Sequence, residues 1–255
     1  MKTKKRLKLG WRIVLWCIAA MALAVLLMVG VLTAKGYAMY KEAVAEKPID
    51  TIMDDIKSRP GEFVTREELP EIYYDAVITA EDRRFESHNG IDPISIARAL
   101  WVDIKTLSFA EGGSTITQQL AKNELFTQRK HLERKFAEIF AARAIEECYT
   151  KDEIFEMYVN SIYFGSGYYG VFNACNGYFE VPVSEMTDFE AVFLAGLPNA
   201  PSIYSPDNSP YLATRRMTVV LQRMINYDVI PVERADAMMA EMYSLQYIIH
   251  PENAA

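Results

Sequence analysis

The hydrophobic pattern of the chain changes character near residue 34. From Ile13 to Ala34 about 22 residues run without a charge, close to the roughly 20 that a helix needs to cross the hydrocarbon of a bilayer. Residues 35–61 are more polar and are interrupted at Lys47-Pro48 and at Pro60-Gly61, where helix is disfavoured, so they read as a stalk. Beyond them apolar residues recur at helical spacing. Pro70 opens EIYYDAVITAEDRRF, and Asp92-Pro93 supplies an N-cap and first-turn proline for ISIARALWVDIK. Thr187 and Glu190 have the spacing of a capping box ahead of AVFLAGL, which ends at Gly196 and Pro198. Strand-like alternation is scarce and there is no internal repeat. The pattern predicts an N-terminal membrane helix and a mainly α domain.

Charge orients the first of these. Lys2, Lys4, Lys5, Arg6, Lys8 and Arg12 precede the apolar run with no acid among them, which leaves residues 1–12 as a basic cytoplasmic tail and the remainder outside. A cleaved signal peptide would have a shorter apolar core, and Thr33-Ala34-Lys35 is a poor cleavage site. Those six are part of 27 cations, so 21 remain against 34 acids, a formal charge of −13 for the outer part. Such a domain has no general attraction to nucleic acid, and a local basic cluster in it calls for a reason. The three cysteines form no readable disulfide framework or metal-ligand spacing.

Four segments carry candidate chemistry. GGSTITQQLAKN, residues 112–123, joins two glycines to a helix start at which Thr115 and Gln118 have capping-box spacing. On a helical wheel Thr115, Gln118, Gln119 and Lys122 share one face. That arrangement suits an anion; it equally suits a glycine turn followed by an exposed polar helix. EDRRFESHNGID, residues 81–92, places Glu81 and Asp82 at the end of an apolar run, where burial can tune a carboxylate into a general base. The plainer reading pairs Glu81 and Asp82 with Arg83 or Arg84. RKHLERKFAEIF, residues 129–140, sets Lys130, Arg134 and Glu138 on one face. Between Lys122 and Lys135 five cations meet two acids, enough to hold a phosphate or pyrophosphate, or to make ordinary solvated ion pairs. NSIYFGSGYYGV, residues 160–171, is rich in tyrosine and glycine, as a sugar-facing loop or an ordinary helix connection would be. Ser-x-x-Lys, Lys-Thr-Gly, G-x-S-x-G, HExxH and P-loop motifs are absent, which argues against serine acyl transfer.

In order, these segments resemble the family 51 glycosyltransferases, the peptidoglycan polymerases that occur as modules of class A penicillin-binding proteins and as monofunctional transglycosylases. The resemblance covers residues 62–225 and takes in a fifth segment, LAGLPNAPSIYSP. It implies a lysozyme-like large lobe, a smaller jaw lobe against the membrane and a cleft between them, with residues 62–255 as the glycosyltransferase domain. The implied reaction polymerises lipid II into β-1,4-linked glycan, processively and with inversion, releasing undecaprenyl pyrophosphate. Carried over by position, Glu81 is the general base and Glu138 the second carboxylate, which orients the cations. Lys122, Lys130, Arg134 and Lys135 stabilise the pyrophosphate, while Asp82, Phe85, His88, Ser114, Thr115, Gln118, Gln119 and Asn123 shape the cleft. No cofactor is required, and a divalent cation, Mg or Mn, is left open. The implied partners are lipid II, the growing glycan strand, the bacterial cell membrane crossed once, and other cell-wall synthesis proteins. The motifs imply no transpeptidase activity. Two positions depart from the family pattern: Lys130 stands where arginine is usual, and Glu180-Val181 where Gly-Lys is common. A membrane-anchored glycan-cleaving enzyme would have no use for the basic patch, and an inactive cell-wall scaffold would be expected to have lost Glu81 or the lysines.

Overall fold

The computed structural model describes residues 2–106, 112–126 and 132–249. Helix α1, Lys2–Glu46, is a continuous rod, because no proline or glycine pair interrupts it before Pro48. It contains a stretch long and apolar enough to cross a membrane, and the large side chains between Trp11 and Val31 stand exposed. The remaining helices are α2 (Ile52–Lys57), α3 (Glu71–Glu81), α4 (Pro93–Thr106), α5 (Ile116–Leu125), α6 (Leu132–Cys148) and α7 (Lys151–Ser161). A small antiparallel hairpin follows, β1 (Tyr163–Gly165) with β2 (Tyr168–Tyr169), in which Tyr163 pairs with Tyr169. Then come α8 (Val171–Phe179), α9 (Asp188–Gly196), α10 (Pro201–Tyr204), α11 (Pro210–Asn226) and α12 (Val232–Ile249). The fold is mainly α.

The core forms where α3 packs on α9, α11 closes over both, and α5 sits between α6 and α7. Tyr73, Phe85, Ile116, Leu120, Phe155, Tyr158 and Leu194 are fully buried there. Helix α9 is buried on nearly all sides, consistent with its almost unbroken apolar sequence. The expected capping boxes are present at Thr115 with Gln118 and at Thr187 with Glu190, and Asp92 accepts from the amide of Ile94 at the start of α4. The run opened by Pro70 stops at Glu81 rather than continuing to Phe85, because Asp82 leaves helical geometry at φ −155°.

Residues 35–61 do not form a stalk. Up to Glu46 they continue α1, which docks on α6 so closely that a Cβ on Gly36 would lie 2.9 Å from the backbone nitrogen of Ala137. Tyr37 meets Phe140 edge to face beside that crossing. Further on, Ile49, Ile52, Met53 and Ile56 are buried. Their spacing of three, four and seven is one helical face, and it is this apolar stripe, rather than the polar residues around it, that decides where the segment goes. Lys47 and Arg59 then hold the buried carboxylate of Glu124 on α5, at 3.0 and 2.5 Å.

Glu180 ends α8 in the left-handed region, at φ 59° and ψ 30°. Glycine takes this conformation without cost, whereas a side chain there crowds the following carbonyl. Glu180→Gly is therefore expected to stabilise the fold by about 1 kcal/mol, raising the thermal midpoint by about 2–4 °C, readable by calorimetry. A lower midpoint would mean that the glutamate side chain contributes more than its backbone strain removes.

Candidate active site

Four segments distant in sequence meet around the C-terminal end of α3. Glu81 is the last residue of that helix, and its carboxylate is held on both oxygens. Oε2 accepts from Gln119 Nε2 on α5 at 2.9 Å, and Oε1 pairs with Arg216 on α11 at 3.3 Å. Gln119 is itself fixed, since its Oε1 accepts from the buried hydroxyl of Tyr158 at 3.4 Å. Burial lowers the Arg216 pKa, with Glu81 acting against that shift, and the guanidinium also donates to the carbonyl of Gly196 at 3.1 Å. Arg223, one helical repeat further along the same face, donates to the carbonyl of Ala80.

Asp82 faces the other way. It accepts from His88 Nε2 at 2.9 Å and from the amide of Ile116, the first residue of α5, at 3.0 Å. All three groups are buried, so this junction ties the end of α3 to the start of α5 and sets where Glu81 stands relative to Gln119. Phe85 is fully buried beneath it. Arg84 pairs with Asp92, and Arg83 stacks on Tyr227 at 3.9 Å, so neither arginine neutralises Glu81 or Asp82.

Packed against α5, α6 carries the cationic cluster, none of whose described side chains is in the lining of either cavity that Gln119 and Lys122 line. Glu138 is 1% exposed, forms an ion pair with Arg134 at 3.1 Å and accepts from Lys135 Nζ at 2.7 Å; Lys135 also donates to Ser114 Oγ at 2.8 Å. Lys122 lies close enough to this group to feel it. Burial depresses its pKa below the ordinary lysine range; Glu138 and Glu81 act against the shift, while Arg134 and Lys135 add to it. Lys130, expected in the same cluster, lies outside the described residues.

Two cavities share Gln119, Lys122, Pro198 and Asn199 as a common wall. One, of about 340 Å³, is lined by Glu81 together with Arg83, Arg98, Lys122, Arg216 and Arg223. The other, of about 490 Å³, is lined by Gln119, Lys122, Asn123, Tyr158 and Tyr163. Glu81, Ser114, Gln119, Lys122 and Asn123 therefore line the cleft. Asp82, Phe85, His88, Thr115 and Gln118 support it from behind.

Thr115 and Gln118 were expected on the open face with Gln119 and Lys122. Instead they are 2% and 1% exposed, because the cap turns both side chains back onto the backbone: Thr115 Oγ1 accepts from the Gln118 amide and donates to the carbonyl of Gly90. Sequence reasoning missed Arg216 and Arg223. The available signal was a cation at a core position of α11, among Ala213, Met217, Val220 and Leu221, which needs a buried acid as partner. Among the described residues no group of three or more His, Cys, Asp and Glu side chains is arranged to hold a metal.

A carboxylate held by an amide and a guanidinium, in the lining of a cavity rich in cations, is equipped to take a proton from one ligand while negative charge grows on another. The transglycosylase family model matches residues 46–225, and the chain belongs to that family. It is 45% identical over 175 residues to penicillin-binding protein 1A of Vibrio cholerae serotype O1, covering 69% of this chain and 21% of that protein. It is 44% identical over 172 residues to penicillin-binding protein 1A of Aquifex aeolicus, covering 68% and 24%. The chain thus spans less than a quarter of the length of these relatives. A 2.6 Å crystal structure of penicillin-binding protein 1A from Haemophilus influenzae aligns with 70% of this chain and 17% of its own, at a TM-score of 0.43 and 24% identity.

Proposed function

We propose that this chain is a peptidoglycan glycosyltransferase that joins lipid II units into β-1,4-linked glycan, with Glu81 as general base. The observation that carries the reading is the position of Glu81, held by Gln119 and Arg216 in the lining of the first cavity, beside the Gln119 and Lys122 wall that this cavity shares with the second. The acceptor 4-hydroxyl gives its proton to Glu81 as its oxygen attacks the anomeric carbon of the donor. The bond from that carbon to the pyrophosphate breaks on the opposite face, inverting the centre, and both bonding electrons leave with the pyrophosphate. That leaving group is already acidic and needs charge stabilisation more than a proton. Lys122, Arg134 and Lys135 supply it, with Glu138 holding the last two in place. A divalent cation remains an open addition to the leaving-group site.

Residues 1–12 stay in the cytoplasm, 13–34 cross the bacterial cell membrane once, and the folded domain works outside, within reach of a lipid-linked substrate. Partners among other cell-wall synthesis proteins follow from the same reading. Lipid II incubated with the full chain in detergent should yield polymer, whereas preformed glycan strands should keep their length; shortened strands without polymer would favour the glycan-cleaving alternative.

These 255 residues carry no Ser-x-x-Lys or Lys-Thr-Gly, so no transpeptidase activity is proposed for them. Incubation with labelled penicillin should leave the protein unlabelled, and a covalent adduct would contradict that reading.

A further inference from the structure

A third cavity, of about 750 Å³, opens on the outer side of the β1–β2 hairpin, away from Glu81. Arg59 and Tyr169 line both this cavity and the second one of the cleft. Tyr163, on the cleft side, and Tyr169, which borders both, are cross-strand partners with ring centroids 4.8 Å apart, so a continuous aromatic step joins the two spaces. The floor is the ring of Tyr168, which lies directly on α8: a Cβ on Gly177 would fall 2.1 Å from its Cζ. Phe172, Asn173 and Asn176 are also part of the lining.

We propose that this cavity is a distal glycan subsite, holding sugars of the strand several units away from the bond being made. The proposal rests on the reading of the preceding subsection and adds a second place at which the product is gripped. Pyranose rings offer C–H faces to aromatic rings, and hydroxyl and acetamido groups to side-chain amides, and this lining supplies both. The volume lies in the range of small-ligand sites. Among the described residues Arg59 is the one charged side chain of the lining, and it is already paired with Asp55 and Glu124. A neutral sugar therefore fits better than an anionic stem peptide, which would find no cation to spare. A strand gripped here and in the cleft at once makes each rebinding step intramolecular, so the growing chain stays on the enzyme between additions.

Asn176→Ala and Gly177→Ala test this in the full chain. Asn176 is exposed on α8, so its variant keeps the test open if Gly177→Ala disturbs the helix. Products made from lipid II should become shorter by about threefold or more in mean length, because a strand held at one site escapes sooner. Chitohexaose, a β-1,4-linked N-acetylglucosamine oligomer followed by tyrosine fluorescence, should bind these variants about tenfold more weakly than the unmodified protein. Unchanged product length together with unchanged binding would overturn the subsite. So would a free stem pentapeptide whose binding, rather than that of the sugar, is lost in the variants. An unmodified protein that makes no polymer at all would overturn the proposed function, and the subsite with it.

Discussion

Glu81→Gln is expected to reduce lipid II polymerisation by about 10²–10⁴-fold, the usual weight of a positioned general base. Glutamine keeps the length and shape of the side chain and one carbonyl oxygen for Arg216, but its NH2 then faces the Gln119 donor, and the amide cannot accept a proton at the reacting centre. The substitution also touches stability. Arg216 is 7% exposed, and its charge is countered in the folded protein by Glu81. A neutral partner leaves that guanidinium with hydrogen bonds but no opposite charge, at a cost of about 1–3 kcal/mol. The thermal midpoint should therefore fall by a few degrees while the protein stays folded at 25 °C, and rates must be compared per folded molecule. Near-normal polymerisation by folded Glu81→Gln would remove Glu81 from the base role.

Lys122→Met should separate binding from stability in opposite directions. Diphosphate-bearing ligands, or the family inhibitor moenomycin, lose a buried charged partner, and affinity should fall by about 30–1000-fold, or 2–4 kcal/mol. The unliganded protein should become more stable near neutral pH. The sign follows from linkage: the folded pKa of Lys122 lies below its unfolded value, so in the window between the two the unfolded chain binds more protons and stability rises with pH. Below that window the buried charge is a constant penalty, which methionine removes. A bound diphosphate reverses the balance, raises the Lys122 pKa and draws a proton into the complex at alkaline pH. Calorimetry in buffers of different ionisation enthalpy should detect that uptake in the unmodified protein and its loss in Lys122→Met. Equal affinity in the two proteins would take Lys122 out of the phosphate site.

The caps and helix stops were legible because neighbours in sequence set them, whereas the roles expected of Glu81, Lys122, Arg134 and Glu138 came from the resemblance of their motifs to a family, since their spacing alone fitted solvated ion pairs equally well. What escaped is non-local. Arg216 meets Glu81 across 135 residues, and on its own helix it looks like a solvent-facing cation until the apolar register around it is counted. The Asp82, His88 and Ile116 junction depends on how two helices end and begin in space, which no single segment encodes. Thr115 and Gln118 were misplaced for a different reason. A helical wheel gives the direction of a Cβ, while a capping side chain bends back along the chain to meet orphan amides. The segment 35–61 was misjudged because its polar residues outnumber four isoleucine and methionine positions that settle its packing.

The central claim is that Glu81 drives sugar transfer from a lipid pyrophosphate. Counting undecaprenyl pyrophosphate released against disaccharides joined, with lipid II and the full chain in detergent, tests it most directly. One lipid pyrophosphate for each disaccharide added, with both products lost together in Glu81→Gln, is the expected result. Release of the lipid pyrophosphate without a matching glycan bond, or no release at all from folded protein, would contradict it.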